Sequence, residues 1–133
     1  MIDNCYEHSE LTSRIIGCAK EVHCPLENGF QEVIYQRALA IELDKAQISF
    51  AREVEMPIFY RGLQIGARWV DFLINNFLAV ELKAVTQLED VHLVQAINYL
   101  EAYHFRIGLL INFGARSLQF KRVANSIDPP KSS

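Results

Sequence analysis

The chain predicts a mixed α/β domain whose elements run helix, helix, three strands, helix, two strands. Three observations carry that prediction. The stretch from Trp69 to Ala84, WVDFLINNFLAVELKA, is two strand-length apolar runs around Asn75-Asn76, rich in the β-branched and aromatic residues that strands favour. Segments on either side of it repeat apolar residues at three- and four-residue steps, the period of a helix face. A further apolar run, RIGLLINF, follows the last helical segment, so two strands flank a helix as in a right-handed parallel crossover. At 133 residues the chain has room for one domain with a real core.

The elements follow in order. From about Glu7 to Cys24, Leu11, Ile15, Cys18, Ala19 and Val22 form one apolar stripe, with Ser9 as N-cap and Pro25 as the stop. Gly29 opens a second helix running to about Lys45. Two apolar stripes, one from Phe30 to Ile41 and one through Tyr35, Leu39 and Leu43, predict a helix buried on two sides. Arg52 to Tyr60, Leu63 to Ile74 and Phe77 to Ala84 read as an antiparallel meander turning at Arg61-Gly62 and at the asparagines. Gln87 to Tyr103 is the third helix. Arg106 to Phe113 has the composition of a central strand covered on both faces, and Leu118 to Val123 that of a more amphipathic last strand. Core residues span about 9–123, and the Pro- and Ser-rich segment 124–133 reads as a frayed tail.

Composition narrows the function. Half of the residues are hydrophobic, yet the apolar runs are strand-length and interrupted by charges, which predicts a globular protein with no membrane span. The N-terminal residues lack the pattern of a signal peptide, so the expected location is the cytoplasm. Cys5, Cys18 and Cys24 are odd in number and form no CxxC pair, the usage of free thiols in a reducing compartment rather than of a zinc site. A net charge of -3, with the arginines scattered, argues against strong nonspecific DNA binding by a monomer.

Against that background the Trp69–Ala84 hairpin is unusual, because it carries Asp71, Glu81 and Lys83 within apolar runs. Glu81 and Lys83 are two apart and share a strand face. Whether Asp71 joins them depends on register. A two-residue turn at Asn75-Asn76 would set Asp71 against Val80 and put the carboxylates on opposite sides. A three-residue loop, Asn75 to Phe77, sets Asp71 against Glu81. Asn tolerates the left-handed conformation such loops need, so the odd-length loop or an equivalent bulge is expected.

Paired carboxylates repel unless a cation lies between them. Mg²⁺ or Mn²⁺ fits, as hard cations with oxygen ligands, and the backbone carbonyl of Leu82 could add another. Lys83 could then orient an attacking water or neutralise a phosphate. The plainer reading of the same residues is a solvated strand face with alternating charge. Glu32 is similarly open between a first-turn Glu complementing the helix dipole and a carboxylate aimed into a site.

Asp71 followed by Glu81-Leu82-Lys83 on the next strand resembles the D…(D/E)xK signature of the PD-(D/E)XK nuclease-like superfamily, with Val70 where a Pro usually precedes the Asp. Gln95 to Tyr99, QAINY, resembles the QxxxY motif of its RecB-like and lambda-exonuclease-like branch. Gly29 to Tyr35, GFQEVIY, matches the motif for which the GxxExxY protein family is named, and GLLINFG from Gly108 to Gly114 looks typical of that family. The resemblance covers about Leu11 to Val123. It implies a restriction-endonuclease-like core and a catalytic set of Asp71, Glu81, Lys83 and Glu32. The metal would be held by Asp71, Glu81, Glu32 and the Leu82 carbonyl. Gln95 and Tyr99 would bind or organise substrate, being one helical turn apart on one face.

The expected function is therefore Mg²⁺- or Mn²⁺-dependent phosphodiester hydrolysis of nucleic acid, with DNA favoured over RNA. A homodimer would widen the surface that one small domain offers to a duplex. The alternative is a non-catalytic nucleic-acid-binding or regulatory module on the same fold, since fold alone does not give function.

Overall fold

Three helices and a five-stranded mixed sheet make up the fold in the computed structural model, which describes residues 8–125. Cys5, the start of the first helix expected at Glu7 and most of the expected tail lie outside the described residues. The elements are α1 (Ser9–Leu26), α2 (Glu32–Lys45), β1 (Phe50–Tyr60), β2 (Leu63–Ile74), β3 (Leu78–Lys83), α3 (Asp90–Tyr103), β4 (Ile107–Asn112) and β5 (Gln119–Ala124). Sheet order is β1-β2-β3-β4-β5, antiparallel throughout except for the parallel β3–β4 pair that α3 connects.

Two apolar clusters sandwich the sheet. On one face α1 and α2 pack through Ile15, Val22, Tyr35 and Leu39 against Phe72, Val80, Leu82 and Leu109. On the other, Ala96, Tyr99 and Leu100 of α3 cover Ala79, Leu110 and Val123. All six residues of β4 are buried, as its uninterrupted apolar run predicts for a strand covered on both faces.

Four local details differ from the sequence reading, the start of α2 at Glu32 instead of Gly29 among them. Ser9 is the first helical residue, and His8 stands at the N-cap without a side-chain cap bond. Pro25 lies inside the last turn of α1 rather than beyond it; near a helix end the hydrogen bond it removes matters least. Only one stripe of α2 is buried, because Phe30, Ile34 and Ile41 are 48%, 37% and 61% exposed. Its N-terminus falls at Glu32 because the preceding residues form a fixed turn. Gly29 adopts φ +114, which suits a residue without a Cβ. The Tyr35 hydroxyl accepts the Phe30 N–H at 3.2 Å and donates to the Glu27 carbonyl. The Tyr35 ring is stacked on Phe113 with centroids 4.7 Å apart. A buried tyrosine thus locks the turn that presents Glu32.

β1 and β2 form a ribbon longer than the rest of the sheet. β2 pairs with β3 only across Phe72–Ile74, while its pairing with β1 continues to Leu63. The ribbon is tied to α3 by the Tyr103 hydroxyl at the Met56 and Pro57 carbonyls, 3.3 and 3.0 Å away.

Candidate active site at the parting of two strands

The β2–β3 turn sets the register. Phe72 faces Val80, Leu73 faces Ala79 and Ile74 faces Leu78, leaving Asn75, Asn76 and Phe77 as a three-residue loop. Asn75 and Asn76 have φ of 51 and 65, the left-handed conformation asparagine accepts at low cost. One more step along this register opposes Asp71 to Glu81, as the odd-length loop requires.

At that step the strands part. Val70 and Phe72 are two apart on β2, yet Val70 packs in the core under α3 and Phe72 in the core under α1 and α2. A regular strand would place both on one face, so β2 rolls about Asp71. On β1 the pairing skips Glu53, which adopts φ +54. The roll turns Asp71 towards the edge of β3, where its Oδ2 accepts the Leu82 N–H at 2.8 Å. Its Oδ1 accepts Nε2–H of Gln36, one helical turn after Glu32 on α2, also at 2.8 Å. Both carboxylate oxygens are therefore held by neutral donors.

The main chain of β3 brings a further oxygen to the same edge. The Lys83 carbonyl accepts the Phe113 N–H on the β4 side at 2.9 Å. Amide and carbonyl of one strand residue face the same edge, and neighbouring residues alternate, so the Leu82 carbonyl points to the side of Asp71.

Glu81 is 8% exposed, and burial pushes its carboxyl up to about 7. Arg68 opposes that shift, while the charge of Asp71 and a hydrogen bond with it reinforce it, and Lys83 lowers it slightly. Glu32 is shifted upward too, first by burial of its carboxyl and then by Asp71, with Lys83 acting in the other direction. The residue is exposed overall, and what ties it to the site is the charge of Asp71 and Lys83. Asp71, Glu81, Lys83 and Glu32 thus share one electrostatic neighbourhood.

The remaining expected site residues, Tyr99 and Gln95, divide. Tyr99 is 2% exposed, with its hydroxyl lacking a partner and its ring 5.0 Å under the Arg68 guanidinium; burial raises its pKa, and Glu81 adds to the rise. Gln95 is exposed on α3 and makes no protein hydrogen bond among the described residues. His92 closes a capping box with Glu89, whose N–H it accepts at Nδ1 at 2.9 Å, so its position serves the helix start.

Two residues at the site went unread in the sequence. Gln36 could have been found from its four-residue spacing to Glu32, which puts both on one helix face. Arg68, hydrogen-bonded to Glu81 Oε1 at 3.3 Å, left no such signal, because the roll of β2 decides which way its neighbours face.

Among the described residues no three His, Cys, Asp or Glu side chains gather closely enough to hold a metal ion by themselves. Two adjacent carboxylates and a main-chain carbonyl remain, an all-oxygen set with few protein donors. That set suits Mg²⁺ or Mn²⁺, which keep waters and take substrate oxygens, better than it suits zinc. No described helix is long and apolar enough to cross a membrane.

No functionally curated protein matches the chain. Among solved structures it is similar to the crystal structure of SSO0001, with a TM-score of 0.57 and 20% identity over 92% of this chain. The match spans 61% of that structure's length, and at this identity it bears on the fold alone. A sequence model of the PD-(D/E)XK nuclease superfamily matches residues 9–123, from the first helix to the last strand. The chain belongs to the PD-(D/E)XK nuclease superfamily.

Proposed function

We propose that the protein is a metal-dependent nuclease that hydrolyses phosphodiester bonds in nucleic acid, DNA in preference to RNA. The observation that carries this reading is the meeting of the Asp71 and Glu81 carboxylates beside Lys83 where β2 leaves β3. A buried acid pressed against a half-buried one is costly unless cations offset the charge, and Lys83 and the main-chain oxygen beside the pair are groups that phosphodiester hydrolysis uses. When bound, Mg²⁺ or Mn²⁺ supplies Lewis-acid polarisation of the phosphate and a more acidic water.

The chain's own residues do the rest. Asp71, Glu81 and the Leu82 carbonyl hold the cation. Gln36 and the Leu82 amide fix Asp71 so that it does not reorganise when charge builds up. Lys83 neutralises phosphate charge and holds the attacking water, with Glu32, which senses both Asp71 and Lys83, as a water-orienting carboxylate rather than a third side-chain ligand. Tyr99 supports Arg68 from below, and Gln95 on the exposed side of α3 contacts substrate. The reading takes the chain to act in the cytoplasm, with two copies cooperating on a duplex.

The test is cleavage of labelled single- and double-stranded DNA and RNA with Mg²⁺, Mn²⁺ or EDTA, alongside Asp71→Asn and Lys83→Ala. Cleavage that needs the metal and both side chains supports the reading. Cleavage surviving both substitutions would mark a contaminant. Salt-sensitive binding without cleavage on any substrate would leave a non-catalytic nucleic-acid-binding module.

A further inference from the structure

Arg68 is a charged group beside Glu81 that the hydrolysis above does not use. Its guanidinium spans from β2 to the Glu81 carboxylate, 3.3 Å away, while lying 5.0 Å over the Tyr99 ring. A guanidinium carries five N–H donors, and among the described residues only one bond to a protein acceptor forms here. The side chain is 33% exposed against 11% for that of Glu81, so the unused donors have a path to solvent. The ring beneath cannot follow a movement. It is buried, tilted against Tyr103 at 4.8 Å and stacked with Phe105 at 6.1 Å.

A divalent cation on Glu81 and a guanidinium on the same carboxylate would repel at close range. That repulsion favours release of one of them, and Arg68, held to Oε1 by one bond, is the one on a flexible stem. Its planar cation can stay on the aromatic face while its outer nitrogens change partner. A phosphodiester entering the cleft offers an anion of the geometry that a guanidinium fork matches.

We propose that Arg68 is an exchangeable counter-ion: it neutralises Glu81 in the metal-free protein, cedes that carboxylate to the metal, and turns on Tyr99 to hold a phosphate of the nucleic-acid strand. The proposal rests on the metal reading of Asp71 and Glu81. It makes metal and substrate binding mutually reinforcing, since a phosphate that draws Arg68 away eases metal binding, and linkage demands the converse.

The experiment measures Mn²⁺ binding to the full chain by calorimetry, with and without a short phosphorothioate oligodeoxythymidylate that resists hydrolysis. In Arg68→Gln, Mn²⁺ alone should bind several-fold tighter than in the wild type, because its competitor is gone. Oligonucleotide affinity should fall about tenfold and its enhancement of Mn²⁺ binding should disappear. Arg68→Lys keeps the charge but not the stacked fork, so its Mn²⁺ affinity should stay near wild type while oligonucleotide binding weakens; it carries the test should the Gln variant fail to fold. Weaker Mn²⁺ binding in Arg68→Gln would make Arg68 a strut that shapes Glu81 and would overturn the proposal, as would unchanged values for both ligands. If the wild type takes up no Mn²⁺, the metal reading itself fails and this inference with it.

Discussion

Gln36 donates from Nε2 to Asp71 Oδ1 at 2.8 Å while its own Oε1 is buried without a partner. The side chain is 6% exposed, so helix α2 commits a buried amide to holding one acid on strand β2. A hydrogen bond to a charged group contributes about 1.5–3 kcal/mol, but here half of the amide's bonding capacity is unmet, which offsets part of that gain. Gln36→Leu should therefore fold with a melting temperature near that of the wild type while losing about ten- to a hundredfold in cleavage rate, the usual cost of removing a partner that orients a ligand. Paired melting curves and turnover measurements check this; a large loss of stability with turnover intact would show the bond to be structural.

The loop Asn75 to Phe77 makes a second test possible, because side-chain direction along a strand has a period of two. Deleting Asn76 would convert the three-residue loop to two and move Asp71 out of opposition to Glu81. Activity should vanish in that variant. Asn76→Gly keeps the loop length and suits the φ of 65 at this position, so it should retain activity. Asn76→Val forces a β-branched residue into the left-handed region and should destabilise the fold by about 1–2 kcal/mol. Urea denaturation ranks the three; a deletion variant with wild-type turnover would rule out dependence of the site on this register.

These residues also show what was legible in the sequence and what was not. The element order, the parallel crossover and the loop length follow from apolar periodicity and turn chemistry, which are local. Burial on both faces of β4 follows from an unbroken apolar run. The exposure of Ile34 and Ile41 does not, because a second apolar stripe says nothing about whether a neighbour covers it. The roll of β2 at Asp71 is also invisible: Val70 and Phe72 have the spacing of a shared face and end in opposite cores. Gln36 reaches Asp71 and Arg68 reaches Glu81 through that distortion and the docking of α2. Gln36 at least shares a helix face with Glu32 by its four-residue spacing, whereas nothing periodic marks Arg68.

Gly114 guards the far end of the same strand. A Cβ added there would lie 2.4 Å from the Ala84 carbon and the Val85 nitrogen, backbone atoms just beyond Lys83. The buried Asn112 side chain ties the same place together, its Oδ1 accepting the Val85 and Gly114 N–H groups at 2.9 and 3.0 Å. Gly114→Ala should force the β3–α3 connection outward, at a cost of about 1–3 kcal/mol from overpacking. Because the shift begins one residue after Lys83, cleavage should fall further than the change in folded fraction explains. Measuring turnover at a temperature where both proteins remain folded separates the two effects. Equal activity there would mean that the strand end yields without moving Lys83.

Glu81 makes stability and metal affinity depend on pH in a defined direction. Burial lifts its folded-state carboxyl to about 7, above the ordinary carboxylate value near 4.3 of the unfolded chain. Between those values the folded protein binds more protons than the unfolded one, so stability falls as pH rises through the window and levels off above it. The full loss from this group is on the order of 3 kcal/mol. Glu81→Gln should accordingly melt higher than the wild type at pH 8 in EDTA and no higher at pH 5. A bound cation requires the carboxylate, so Mn²⁺ must displace the proton, and its apparent affinity should drop as pH falls below about 7, by up to tenfold per pH unit. Mn²⁺ should raise the melting temperature of the wild type at pH 8 and leave Glu81→Gln nearly unchanged. Melting curves across pH with and without Mn²⁺ test all three expectations together. A wild type whose stability in EDTA rises from pH 5 to pH 8 by more than the Gln variant's would mean that Glu81 is stabilised as its anion, with Arg68 outweighing burial.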